Sequence, residues 1–436
     1  MFWRQRKRLR VFVTNSLWIA PVFSMLGALG CARLTRSLNE GLPYQFLDFG
    51  IQGARAAVGI VAGSMLTFVV FFFSVLLLTV QIAGANLSPR IIMRPFQSRV
   101  LKTALSLFVF NFIYSLAVMG RLEERVPQLQ VFLTLLLSVA STCMFLFVVE
   151  YLGKELRPAA VMTRVAREGL KTIRSVYPLH WIGSARQPAA AIPSTWDYKS
   201  VDHTGQAGVI VAFDSRGLVA LAAAHRCLIE LVPQVGDFVA KGALLFRVYG
   251  AKDSFNSRKA RSAIEIGRER TMEQDPVFPF RVIVDIAEKA LSPAINDPTT
   301  GVLAVDHIQS LLQEIGKRDL STGVLCDNEG AQRLIHRTPN WDDFVFAAVA
   351  EIRQYGATSV QIVRRLRGML EHLISALPGD RAGLLEEQLE LLHITVQRAF
   401  PELGDRAHAE VADLQGLGGA VRQPSASVGS GNRNGA

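Results

Sequence analysis

Two polar stretches in the second half of the chain hold the residue types best suited to chemistry. The first reads Glu265-Ile266-Gly267-Arg268-Glu269-Arg270-Thr271-Met272-Glu273-Gln274-Asp275-Pro276. The second reads Ala290-Leu291-Ser292-Pro293-Ala294-Ile295-Asn296-Asp297-Pro298-Thr299-Thr300. In a ligand or metal pocket, Asn296 and Asp297 would supply oxygen ligands and Arg268 and Arg270 would bind an anion, with Glu269, Asp275, Thr299 and Thr300 as further ligand-binding candidates. Turn prolines around small polar residues leave backbone amides open, and helix N-termini attract anions. A plainer reading competes for the second stretch. Asp297 is a good N-cap with Pro298 at the first helical position, so the string also describes a helix break at Pro293 and a capped restart.

Other catalytic signatures are missing. The sequence has no Walker A loop, no HExxH, no GxSxG and no GxGxxG after a strand, and its eight histidines lack metal-ligand spacing. The four cysteines (Cys31, Cys143, Cys227, Cys326) are scattered without a CxxC pair, which argues against a disulfide framework and a zinc site. No catalytic residue, metal or cofactor is assigned. The chain reads more readily as a binding or transport protein than as an enzyme.

The elements that must position these residues begin in a membrane. Four uncharged runs, residues 11–32, 56–89, 103–120 and 126–149, fill the first third. A helix needs roughly 20 apolar residues to cross a hydrocarbon core. The expected spans are about 11–32, 56–82, 103–120 and 129–149, the first kinked at Pro21 and the second bearing a Gly59/Gly63 GxxxG spacing. The first run is too long for the core of a cleavable signal peptide.

The net charge of +10 does not signal nucleic acid, because the basic residues cluster beside the spans. Arg4, Arg6, Lys7, Arg8 and Arg10 precede the first. Arg90, Arg94, Arg99 and Lys102 follow the second, and Lys154, Arg157, Arg164, Arg167, Lys171 and Arg174 follow the fourth. The opposite loops carry fewer, so the positive-inside rule places both termini in the cytoplasm. Arg164, Arg167, Lys171 and Arg174 also form the basic face of an amphipathic helix, expected either along anionic inner-leaflet lipids or packed on the soluble domain. Within helix three, Asn111 and Ser115 share a face; they would line a pore built from several copies of the chain, or make an interhelical hydrogen bond. A homo-oligomer is the expected assembly.

The expected fold is a four-transmembrane-helix bundle followed by a cytosolic α+β domain, a small β-barrel-like module plus helices. The transmembrane domain takes residues 1–152, the juxtamembrane helix 153–185 and a Pro/Ala linker 186–195. A small β module covers 196–250, a helical domain 251–403 and a disordered tail 404–436. Within the β module, Gly236-Asp237-Phe238-Val239 and Gly242 resemble the turn-and-strand signature of lipoyl/biotinyl-type barrels, but without a lysine for attaching either group. Val302, Val305, Ile308, Leu311, Leu312 and Ile315 trace one apolar helix face, and Val360, Val363, Leu366, Leu370, Leu373 and Leu377 another.

Several strings together resemble a bacterial family of predicted membrane proteins, domain of unknown function 2254. They are Leu87-Ser88-Pro89-Arg90, Phe112-Ile113-Tyr114, Gly236-Asp237-Phe238-Val239, Glu269-Arg270-Thr271 with Gln274-Asp275, Ala290 to Thr300, and Ile352-Arg353-Gln354-Tyr355-Gly356. The resemblance runs from about Leu17 to Leu377, and it implies the layout but no activity. One departure is Val149-Glu150-Tyr151, where similar proteins often carry paired histidines. The expected role is a channel-like or transport-related inner-membrane protein with a ligand-sensing cytosolic domain. A non-conducting structural or signalling protein is the alternative, and a membrane-tethered enzyme the third.

Overall fold

The computed structural model describes residues 16–41, 49–86, 98–122, 126–155, 157–181, 196–251, 254–321 and 323–419. The chain divides into two compact units, Met1–Val161 and Met162–Ala436.

The first unit is built from α1 (Ile19–Gly41), α2 (Ile51–Asn86), α3 (Arg99–Met119) and α4 (Gln128–Glu155). Among the described residues, three segments are long and apolar enough to cross a membrane: Ile51–Ile82, Arg99–Met119 and Gln128–Glu155. The first expected span is displaced. Its helix starts at Ile19 and continues past Arg33 and Arg36 to Gly41, while residues 11–15 lie outside the described residues. Pro21 therefore sits in the first turn, where a missing N–H leaves no helical bond unmade. The Gly59/Gly63 spacing marks no close approach inside the unit. A Cβ on Gly59 would lie 3.9 Å from Met119, and one on Gly63 would meet nothing within 4 Å.

Where the helices meet, the core is mainly aromatic and aliphatic. Phe68 stacks on Phe145 with ring centroids 4.6 Å apart and meets Phe108 edge-on. Several of its buried polar groups are paired, as hydrocarbon favours, while the Ser106 hydroxyl and the Gln128 side-chain oxygen are not. Gln130 donates to the carbonyl of Ala32 (2.8 Å) and to Thr35 Oγ1 (3.0 Å), and Thr35 shares a 3.2 Å hydrogen bond with the Tyr114 hydroxyl. One short cluster thus fastens α1, α3 and α4.

The second unit starts within α5 (Pro158–Val176), whose apolar stripe of Met162, Val165, Ala166 and Ile173 is buried. Strands follow as β1 (Tyr198–Asp202), β2 (Gly208–Phe213), β3 (Leu228–Leu231), β4 (Phe238–Val239) and β5 (Leu244–Tyr249), with α6 (Ser215–Ala224) between β2 and β3. After α7 (Ser257–Ser262) come β6 (Ile264–Gly267), α8 (Phe278–Ala290), α9 (Pro298–Gly316), β7 (Val324–Cys326) and β8 (Gln332–His336). Helices α10 (Trp341–Tyr355), α11 (Val360–Ala376), α12 (Gly379–Ala399) and α13 (Leu403–Ala409) complete it.

The strands form two open sheets, ordered β1-β5-β3-β8-β7 and β4-β2-β6, and not the expected barrel-like module. The 196–250 segment is also not self-contained. β6 pairs antiparallel with β2, and β8 lies parallel to β3, so later strands are drawn in from a region read as purely helical. These strands are three to five residues long, too short for an alternating pattern to reveal them. Leu334 of β8 and Ile264 of β6 are buried in one core with Ile210, Leu218, Ile229, Phe246 and Val248. The glycines of the GDxV turn have the conformation expected of them, Gly236 at φ +96 and Gly242 at φ +87.

The helical faces read from periodicity are the buried ones. All six residues named on α9 are buried, as are Val363, Leu366, Leu370, Leu373 and Leu377 at α11. The tail is ordered further than expected: α13 and the turns after it extend the described structure to residue 419, and only 420–436 lie outside it. Asp413 makes this possible by accepting from the amides of Gln415, Gly416 and Gly418, while its own amide donates to the Arg364 carbonyl. Glycine-rich composition hid a segment held by backbone hydrogen bonds.

Gln388 of α12 is fully buried, and neither amide atom of its side chain has a hydrogen-bond partner. A buried unpaired amide costs about 1–3 kcal/mol. The nearly isosteric Gln388→Met is therefore expected to raise the thermal unfolding midpoint of the purified protein by a few degrees. A midpoint unchanged or lowered would show that the amide is satisfied in solution.

Candidate functional site

Asp275 lies at the centre of the first polar stretch and is almost wholly buried. It forms an ion pair with Arg270 at 2.8 Å and accepts from the amides of Val277 (3.2 Å) and Phe278 (3.1 Å), which closes the start of α8. Burial pushes its pKa up, against the opposing pull of Arg270 and these amides. Gly236 packs directly on the pair. A Cβ there would fall 2.2 Å from an Arg270 nitrogen and 2.7 Å from Asp275 Oδ2. Gln274 grips β2 in both directions, accepting from Phe213 N (3.0 Å) and donating to Phe213 O (3.2 Å). The stretch thus works as a joint between hairpin, strand and helix. Arg268 and Glu269 point away from it and are exposed.

In the second stretch Asp297 caps α9, accepting from Thr300 N at 3.1 Å and Thr300 Oγ1 at 2.6 Å. Asn296 takes the left-handed turn at φ +48, and Asn296 and Thr299 are exposed while Thr300 is buried. The two motifs stand at opposite ends of α8, whose 13 residues span about 20 Å at ~1.5 Å each. They do not share a pocket.

In the first unit Asn111 and Ser115 are fully buried. Asn111 Nδ2 donates to Ser141 Oγ of α4 at 3.4 Å, and Ser115 donates to the Asn111 carbonyl at 2.7 Å.

The first polar stretch also borders a cavity in the second unit. A cleft of about 510 Å³ opens where the sheets meet the helical layer. Seven separate segments build it: the end of α5 with Pro178 and Leu179, the β2–α6 corner at Phe213 and Ser215, the turn at Gln234 and Val235, Gln274 with Pro276, Asp319 and Ser321, β7, and His336 to Pro339. Its walls are held rigidly. Tyr177, buried and with its pKa raised by that burial, donates to Pro339 O at 2.9 Å. Asp319 accepts from the amide (2.9 Å) and hydroxyl (2.6 Å) of Ser321. His336 packs against Phe213 with centroids 5.0 Å apart, and burial depresses its pKa, which keeps the ring neutral at physiological pH. Phe213, Val235, Leu325 and Pro339 give the cleft an apolar lining, with Ser215, Gln234, His336 and Arg337 offering polar contacts. That combination suits a small ligand held by shape and a few hydrogen bonds. Of the sequence-selected residues only Gln274's neighbourhood touches it. No local signal could have revealed it, because its lining converges from across the unit.

A second cluster also escaped the sequence reading. Arg281 of α8 serves three carboxylates, Asp285 (2.5 Å), Glu288 (3.1 Å) and Glu351 of α10. Burial first, then a hydrogen bond to Glu351, raises the Glu288 pKa to about 7, whereas Glu351 is held low by its bonds to Glu288 and Arg281. The two carboxylates are placed so that one proton can lie between them. The Arg281, Asp285, Glu288 spacing was legible as one helix stripe; the partner from α10 was not.

Because Glu288 is raised above its unfolded value, its proton favours the folded state, and that contribution fades as pH rises through about 7. Thermal unfolding of the wild type is expected to lose more stability between pH 6 and pH 8 than Glu288→Gln, which carries the hydrogen atom permanently. Parallel pH profiles for the two proteins would show that no proton is shared.

A family model described as a predicted membrane protein (DUF2254) matches residues 14–372. An uncharacterised protein of Mycobacterium tuberculosis and one of Mycobacterium bovis are each 26% identical over 426 residues, covering 92% of the chain and 80% of their own length. No solved structure matches the chain significantly. The family match includes the three apolar spans, the Arg270–Asp275 joint, the cleft and the capped α9. With its spans and its mixed α/β unit, the chain belongs to the predicted membrane protein family DUF2254.

Proposed function

We propose that the chain is a multi-pass protein of the bacterial inner membrane, with both termini cytoplasmic, whose second unit binds a small molecule in the Phe213–His336 cleft. The cleft carries this reading: its volume suits a small ligand, it joins two subassemblies, and its polar groups converge on an apolar wall. We further propose that α1 completes a four-helix membrane unit, supported by its buried Ala28 and Ala32 and by the Gln130–Thr35 bond. The charge asymmetry of the loops supports the orientation.

Conduction is the second reading, with Asn111 and Ser115 its only sequence support. Their hydrogen bonds are made within one chain, which favours a non-conducting bundle fastened by polar contacts. A pore formed by several copies would have to be lined by other residues. For the second polar stretch, the cap made by Asp297 leaves an ion-ligating role without a cavity to serve.

Two experiments test the proposal. In a background without the four native cysteines, single cysteines at Gly50 and Ser257 are probed with a membrane-impermeant thiol reagent on intact cells. Gly50 is expected to react and Ser257 to react only after lysis; the reverse pattern overturns the orientation. For the cleft, a metabolite collection is screened by thermal shift against the purified wild type and Ser215→Trp. A ligand at 100 times its Kd stabilises by about 2.7 kcal/mol, a shift of several degrees. Cleft ligands should shift the wild type alone, and hits that shift both proteins equally would remove the cleft from the proposal.

A further inference from the structure

Helix α5 begins at Pro158, with two residues between it and the end of α4 at Glu155. Its first turn and Arg157 are therefore tethered at the membrane surface by the chain itself. Along the helix the apolar and basic residues part cleanly. Met162, Val165, Ala166 and Ile173 are buried, and the helix is pressed so closely to α8 that a Cβ on Gly169 would lie 2.8 Å from Pro279 Cβ. Thr172, also buried, donates to the Met272 carbonyl. The opposite side carries Arg164, Arg167, Lys171 and Arg174, spaced three, four and three residues apart and so on one helical face. Arg167, Lys171 and Arg174 are exposed, although Arg174 also reaches Glu314 at 3.1 Å. From Arg157 to Arg174 there are five basic residues against one acidic, Glu168, so the face is strongly cationic.

We infer that this face docks on anionic phospholipid headgroups. An amphipathic helix ordinarily binds a bilayer by burying its apolar side among the acyl chains. Here that side is committed to α8 and α9, and insertion would tear the helix from its own unit. What remains is attraction between basic side chains and an anionic surface, which acts over about a Debye length and is screened by salt. Two features select lipid as the occupant: the charge is complementary, and the tether to a membrane span supplies the surface without any diffusional search.

The test uses the full-length protein in nanodiscs of phosphatidylcholine alone or with 30 mol% phosphatidylglycerol. The readout is the rate of Lys171 acylation by a water-soluble amine reagent, mapped by mass spectrometry. Docking is expected to slow Lys171 at least threefold in the anionic discs, with 0.5 M salt restoring the rate. Lys199 and Lys241, exposed on the β part, serve as internal references. Arg167→Glu should bring the two Lys171 rates together while leaving the references alone. Equal Lys171 rates in both discs, or equal slowing of all three lysines, overturns the inference. So would slowing of Lys171 by added RNA in neutral discs without any effect of phosphatidylglycerol.

Discussion

The second unit turns on a buried carboxylate that cannot be left unpaired. Asp275 is held by Arg270 and by two backbone amides at the start of α8, and Gly236 lies against the pair with no room for a side chain. Removing a charge from water is costly, and the raised pKa of Asp275 shows desolvation outweighing the attraction of its partner. A buried ion pair adds little net stability, and its bonds to a guanidinium and two amides tie the turn to the start of α8. With Gln274 bound to both backbone groups of Phe213, this short stretch sets the positions of β2, the GDxV turn and α8 together. The cleft is bounded by those same elements, and its shape is inherited from the joint.

The membrane unit applies the same constraint in a different solvent. Hydrocarbon offers no hydrogen bonds, which favours buried polar side chains that find a partner on another helix or on their own backbone. Gln130, Thr35 and Tyr114 close one such set near one end of α4, and Asn111, Ser115 and Ser141 another further along it. The pairs are individually weak, yet they fix helix register where apolar packing alone would tolerate sliding. Asn111 and Ser115 make these bonds inside the unit.

Helix α5 shows how one amphipathic pattern can serve two ends. Its apolar stripe is satisfied by α8 and α9, with Gly169 allowing close approach, while its basic face stays in contact with solvent. Amphipathicity specifies that a helix has two sides. It does not specify which surface, protein or lipid, covers the apolar one.

The sequence by itself determined the membrane spans, the loop-charge asymmetry, the helical faces of α9 and α11, the Asp297 cap and the glycine turns. Each of these is a local property, set by residues within a few positions of one another or by a long apolar run. It did not determine the start of α1, because an uncharged run says how much chain suits lipid but not where the helix begins. It missed β6, β7 and β8, whose few residues acquire strand character only by pairing with β2 and β3. The cleft and the Arg281–Glu288–Glu351 cluster were likewise invisible. Their members are brought together by packing between distant segments, and long-range packing leaves no periodic mark in the sequence.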